Sequence, residues 1–301
     1  MADIADLFPN GAWDVHYHIF ERICPIRILP HSPTRHLTPP PATVSQFEEF
    51  KKKLGITKSV LTHGLSYGSA CPSLRDFVSK LGTSNTKAIG VIDPETVTPD
   101  ELHEMQRAGV CGSRDVLRAH VKAIKDHCPS WSMAFTHVHP EFWTELKPFI
   151  DAEIIPTGIR LVTAHFALLK GSSMLPCQVG GDDQEVDVSL QPGFQEIIKL
   201  MRAGHLYVKI SAPYRVSTQT PRYEDLRPRV RAFFNANPRQ VVWGSDWPHT
   251  PQMKVRTPEE ALIETPYLEV DDLAWLRSLR SWLSNEEWHA LMVANPSTLY
   301  S

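Results

Sequence analysis

Residues 12–18 read Ala12-Trp13-Asp14-Val15-His16-Tyr17-His18, with polar side chains at every second place. That period is the mark of a β-strand, whose successive side chains point to opposite faces, so His16 and His18 share a face. Alone the pair is weak, because the chain holds 14 histidines. Its meaning comes from what repeats after it. Strand-like apolar or β-branched runs recur at Ser59–His63, Lys87–Ile92, Val110–Asp115, Ser132–Val138, Ile159–His165, Leu206–Ser211 and Val241–Asp246. Between them lie amphipathic helical candidates at Thr43–Leu54, Pro72–Leu81, Pro99–Ala108, Leu117–His127, Glu141–Ala152, Pro192–Ala203 and Tyr223–Asn235. Eight strands alternating with helices predict parallel strands with crossover helices, closed into a single-domain (β/α)8 TIM barrel over residues 1–301. An open doubly wound sheet is the alternative, but no glycine-rich dinucleotide fingerprint follows any strand.

Three connections are longer than a simple βα turn: Ile19–Pro41, Gly171–Leu190 and His249–Asp272. Each follows a strand, which places it over the C-terminal mouth of a barrel, where active sites are built. The middle one, with Gly180-Gly181-Asp182-Asp183 and the apolar Met174, Leu175 and Val179, is expected to cover a pocket. Beyond them, Asp271–Ser281 and Asn285–Ala294 read as closing helices, with Asn295-Pro296 expected to end the last.

Composition narrows the function. The 301 residues carry 31 Lys+Arg and 34 Asp+Glu, a net charge of −3, which supplies no basic field for nucleic acid or anionic lipid. No apolar run approaches the roughly 20 residues needed to span a bilayer. Met1–Trp13 lacks a basic region followed by an apolar stretch, so no signal peptide is expected. The five cysteines are odd in number, widely spaced and contain no Cys-x-x-Cys, which suits reduced thiols in the cytoplasm. The expected partner is a small-molecule substrate.

Two more strand ends join His16 and His18. The sixth strand ends in Thr163-Ala164-His165, and the eighth runs through Gly244-Ser245-Asp246-Trp247-Pro248-His249. Three imidazoles and a carboxylate at one end of one barrel form a candidate site. Asp246 suits a general base. The imidazoles suit polarisation of a carbonyl, directly or through a divalent ion, and the four together could hold one zinc.

With these segments in view, the chain resembles the amidohydrolase superfamily, and within it the 2-pyrone-4,6-dicarboxylate lactonase group. Asp14–His18, Ser66-Tyr67-Gly68, Ile92-Asp93-Pro94, Val208–Ser211 with Tyr214-Arg215, Trp243–His249 and Asn295-Pro296 carry the resemblance over almost the whole chain. It implies His16, His18, His165 and Asp246 as the catalytic cluster and hydrolysis of an ester or lactone. It also implies a metal-free site as the first choice, with a single zinc as the alternative. Substrate-holding arginines are implied at Arg114 and Arg215.

The chain also departs from the pattern. Phe166-Ala167-Leu168-Leu169 follows His165 where the resemblance leads one to expect a Gly-Arg pair, and Asp115-Val116-Leu117-Arg118 follows Arg114 in place of a more typical Phe-Asn. Anion anchors are lost and an apolar wall gained, so an aromatic or polyketide-like lactone is expected rather than the dicarboxylate. His137, on the fifth strand, and Tyr67 and Trp247 are candidate substrate contacts, weighed against ordinary packing. Two other readings are a metal-dependent non-oxidative decarboxylase of an aromatic acid and a binding protein on a degenerate barrel.

Overall fold

A computed structural model describes residues 7–300 except 22–37, 65–66, 68–71, 92, 94–97, 102, 104–109, 114–116, 136–138, 177–186, 252–256, 258 and 261–262. Among the described residues, the strands are β1 Trp13–Tyr17, β2 Lys58–Thr62, β3 Thr86–Ile89, β4 Val110–Ser113, β5 Ser132–Phe135, β6 Arg160–Thr163, β7 Leu206–Ile210 and β8 Val241–Trp243. They form one sheet in chain order, every pair parallel. The seam closes just beyond β8. Tyr17 bridges Trp247 in parallel, Asp246 N–H donates to His16 C=O at 2.8 Å, and His18 N–H donates to Trp247 C=O at 2.8 Å. The fold is the (β/α)8 barrel that the alternation predicts.

The helices are α1 Val44–Leu54, α2 Pro72–Leu81, α3 Leu117–His127, α4 Phe142–Phe149, α5 Phe194–Arg202, α6 Arg227–Ala236, α7 Asp272–Ser281, α8 Asn285–His289 and α9 Asn295–Leu299. Local chemistry sets their ends. Thr43 and Gln46 form a reciprocal capping box ahead of α1, Ser284 and Glu287 another ahead of α8, and Gly55 closes α1 at φ 77°. Most of the predicted helix 99–108 lies outside the described residues.

One expectation fails at the C-terminus: Asn295-Pro296 does not end the last helix. A π-turn at Ala290–Ala294 widens the helix first, so the chain passes Pro296 into α9. Asn295 Nδ2 also donates to Pro238 C=O and Val241 C=O, at 2.8 and 2.7 Å, tying that turn to the base of β8.

Two apolar layers result. One lies between strands and helices, with Phe47, Phe77, Trp143, Phe233 and Trp275 all buried. A second, smaller cluster takes Val15, Val60, Ile89, Ala134, Val162, Tyr207 and Val242 from seven strands, with Leu299 and Tyr300 beside them. Its make-up is that of a filled barrel interior, leaving the opposite end to polar residues.

Candidate active site

β1 is where the site is built, and it is irregular. Trp13 and Asp14 pair with Lys58 and Ser59, but Tyr17 pairs with Leu61, so three steps on β1 match two on β2. This extra residue is a β-bulge, a device that re-aims side chains. Val15 keeps its place in the small apolar cluster, while Tyr17 stacks on Phe47 of α1 with ring centroids 3.6 Å apart. The backbone groups freed by the bulge are taken by buried charged side chains. Asp14 Oδ1 accepts from His16 N–H at 3.1 Å, and Lys209 Nζ donates to Val15 C=O at 2.7 Å. Asp14 also clips the seam, accepting from Ser245 N–H at 3.0 Å and from its hydroxyl at 2.6 Å. Gly244 permits this closeness, since a Cβ there would lie 2.6 Å from His16 Cβ and 2.7 Å from His16 N.

The structure brings His16, His18, His165 and Asp246 together. His16 Nε2 and His18 Nε2 face Asp246 Oδ1 at 3.3 and 3.5 Å. The His16 ring lies 5.2 Å from that of His18 and 4.9 Å from that of His165. His18 Nδ1 lies 2.8 Å from Thr62 C=O; a carbonyl only accepts, so Nδ1 carries the proton and Nε2 is turned on the carboxylate. His165 is held by Ser211 Oγ, 3.2 Å from its backbone N–H and 3.0 Å from its Nδ1. Asp246 Oδ2 accepts from the Tyr214 hydroxyl at 2.5 Å and from Arg215 Nη2 at 3.2 Å.

The sequence places His165 and Asp246 at strand ends; in the structure His165 lies two residues beyond the end of β6 and Asp246 three beyond the end of β8. Residues His165 to Leu168 have φ of 54–57° and Asp246 has 61°, all without glycine. Left-handed backbone is costly for such residues and concentrates at functional sites. The turn after β6 buries Phe166 against Trp275 and fixes His165.

Electrostatics separate the groups. Burial, then the charge of Lys209 and the neighbouring His165, holds His16 well below the usual imidazole range. Burial takes His165 down to about 3, against the pull of Asp246. Burial alone would raise Asp246, but Arg215 and the imidazoles outweigh it and hold the carboxyl below its usual range. Burial pushes Asp14 up to about 6 despite its hydrogen bonds. At neutral pH the site is a carboxylate among neutral His16 and His165.

This donor set suits a metal. Both ring nitrogens of His16 and Oδ1 of Asp246 are buried without a hydrogen bond, an arrangement that a cation would satisfy. One ligand atom each from His16, His165 and Asp246 lies within 4.8 Å of the others; His18 is not among this trio. Two imidazoles and a carboxylate are a known catalytic zinc set.

The other predicted contacts fall as follows. Arg215 lies against Asp246 and also donates to Thr250 C=O and Oγ1, at 2.9 and 2.8 Å. The Tyr67 ring stacks on His63 at 5.4 Å, and its hydroxyl accepts from Glu21 N–H at 2.9 Å. Trp247 packs against Phe47 and Phe50 of α1, at 5.4 and 6.1 Å. Arg114, His137 and residues 177–186 of the expected lid, including Val179, lie outside the described residues. The base of that lid is described: Gln191 pairs its side-chain amide with both Lys170 N–H and C=O, at 2.7 and 3.0 Å. Asp14, Lys209, Ser211 and Tyr214 lie in segments that carry the resemblance, but the sequence assigns none of them a part in the site. Lys209 carried a signal, a charge inside an otherwise apolar strand.

Known proteins resemble this chain over most of its length. The chain is 26% identical to a 4-sulfomuconolactone hydrolase of Hydrogenophaga intermedia, over 98% of this chain and 90% of the relative. It is 26% identical to a 2-pyrone-4,6-dicarboxylate hydrolase of Comamonas testosteroni, over 97% and 90%. A solved structure of a probable 2-pyrone-4,6-dicarboxylic acid hydrolase from Acinetobacter baumannii, with citric acid bound, superposes with a TM-score of 0.70 at 18% identity, covering 96% of this chain and 99% of that one. A family profile described as Amidohydrolase matches residues 13–301, and with its barrel and its histidine–aspartate centre the chain belongs to the amidohydrolase family.

Proposed function

We propose that this chain hydrolyses a lactone, with His16, His18, His165 and Asp246 as its catalytic residues. The observation that carries the reading is Asp246: one carboxylate oxygen is tied down, while the other is bare and faces imidazoles. A water placed beside Oδ1 gives its proton to that oxygen as its own oxygen bonds to the lactone carbonyl carbon. The carbonyl oxygen takes up the negative charge, opposite the imidazoles. Collapse breaks the ring C–O bond, and the departing oxygen recovers the proton from Asp246, leaving an open-chain acid. When bound, a divalent cation held by His16, His165 and Asp246 would polarise the carbonyl as a Lewis acid. The buried donor trio favours such a cation over the metal-free site first expected.

The relatives act on lactones bearing a sulfonate or two carboxylates. Here Phe166, Ala167 and Leu168 occupy the turn where an arginine was expected, and the first two are buried. We therefore assign an aromatic or polyketide-like lactone of lower charge, with Arg114, Arg215, His137, Tyr67 and Trp247 proposed as contacts. No helix among the described residues is long and apolar enough to cross a membrane. We assign the chain to the cytoplasm, where its five widely spaced cysteines would stay reduced.

The test combines metal analysis with products from a lactone panel that includes the pyrone dicarboxylate. Stoichiometric ring opening to an acid is expected; carbon dioxide release would assign decarboxylation instead. Asp246→Asn should fold normally and lower turnover by about 10²–10⁴-fold, the usual range for a positioned proton acceptor. A variant that keeps most of its turnover at saturating substrate would remove Asp246 from catalysis.

A further inference from the structure

Asp246 is constrained from three directions, and the third has no assigned part in the chemistry. Its backbone is fixed on both sides, with its N–H on His16 C=O and its C=O accepting from His249 N–H, each at 2.8 Å. What remains free is rotation of the carboxylate. The two oxygens are equivalent, so a half-turn changes nothing, but at intermediate angles neither oxygen would face both His16 and His18.

Two groups oppose that rotation, and they are unequal. Arg215 Nη2 reaches Oδ2 at 3.2 Å but shares its hydrogens with Thr250 C=O and Oγ1, both closer. The Tyr214 hydroxyl lies 2.5 Å from Oδ2 and, among the described residues, donates to no other acceptor. Its ring is set from both sides, with the His249 ring edge-on at 6.0 Å and the Arg215 guanidinium 5.4 Å from its centroid. His249 is itself tied by Nε2 to Asp272 Oδ2 of α7 at 3.1 Å. A rigid column thus runs from α7 through His249 and Tyr214 to one oxygen of the base.

We infer that Tyr214 is the positioning residue of the active site: by holding one oxygen it fixes the plane of the Asp246 carboxylate, so that the other oxygen meets His16, His18 and the reacting water. The inference rests on Asp246 acting as the base of a lactone hydrolase. Second-layer partners of this kind typically contribute about 10–100-fold in activity or ligand affinity. They do so by orientation, so the effect belongs to kcat rather than KM.

Tyr214→Phe tests this, because it keeps the ring that His249 and Arg215 pack against. On a lactone that the wild type opens, kcat should fall about 10–100-fold with KM held within about twofold. In an Asp246→Asn background the same change should do almost nothing, since partners acting through one group are not additive. Tyr267→Phe, which removes a hydroxyl bonded to Pro40 C=O, is the control and should leave kcat unchanged. A crystal structure of Tyr214→Phe should show the Asp246 carboxylate turned, with neither oxygen near both His16 and His18 Nε2. Full kcat in Tyr214→Phe, or losses that multiply in the double variant, would overturn the inference. So would an unmoved carboxylate. If the wild type opens no lactone, the proposed function falls, and the crystal structure alone decides the part of Tyr214.

Discussion

Gly244 shows how tightly one residue can govern the site. It lies between the last residue of β8 and the Ser245–Asp246 seam, and a methyl group there would overlap both Cβ and N of His16. The overlap is with backbone and the root of a side chain, so no rotamer change relieves it. Gly244→Ala should therefore part β1 from the seam. Overpacking of this kind costs about 1–3 kcal/mol, measurable by urea unfolding. The displacement falls on His16 and Asp246 together, and a shift of about 1 Å in catalytic geometry can cost about 10²-fold in rate. Loss of stability with unchanged turnover would mean that the barrel absorbs the shift away from the site. The sequence shows a Gly-Ser-Asp segment but not this contact, because the residue it meets is more than 200 positions away. The left-handed run from His165 to Leu168 was equally hidden, since nothing in His-Phe-Ala-Leu signals positive φ.

At the scale of the element, β1 carries the lesson about legibility. Period-two alternation correctly placed His16 and His18 together, and eight strand candidates became eight strands. The bulge between Asp14 and Tyr17 could not be read, because it depends on Asp14 and Lys209 receiving the freed backbone groups. Strand patterns are local, whereas Lys209 joins β1 from β7. The same limit applies to Arg215, which the resemblance assigns to substrate and the fold also places on Asp246 and Thr250. Lys209→Met keeps the length of the side chain and deletes its donor. The Val15 carbonyl is then left unsatisfied, a penalty of about 1–3 kcal/mol for a buried group. Unfolding in urea should show that loss, and turnover should fall further because His16 sits on the loosened bulge. Equal stability of variant and wild type would show that the bulge stands without Lys209.

Over the whole molecule, the buried site makes stability depend on pH in a direction that can be worked out. His16 and His165 are held below their unfolded value of 6.5, His165 at about 3, so unfolding binds a proton at each as pH falls through 6.5. Their contribution is fully present above 6.5 and is lost toward acid. Asp14 runs the other way: raised from 3.8 to about 6, it holds a proton when folded that the unfolded chain releases, so its contribution is lost as pH rises from 3.8 to 6. His249, raised above 6.5, is protonated in both states at these acidic pH values and contributes no slope there. Below pH 6.5, His16 and His165 take up protons on unfolding, while Asp14 releases one. Glu101, Glu153 and Glu287, held below their usual range, add uptake of the same sign, so uptake outweighs release and stability rises with pH. Asp14→Asn removes the opposing proton, so its slope should be steeper by about 1.4 kcal/mol per pH unit, with the wild type and variant differing most in how they change between about pH 4.5 and 5.5. Urea midpoints on chelator-treated protein measure this without competition from a bound cation. A variant with the wild-type slope would mean that Asp14 is ionised in the fold. A wild type whose stability falls as pH rises across that interval would mean that the two imidazoles are protonated where the barrel buries them.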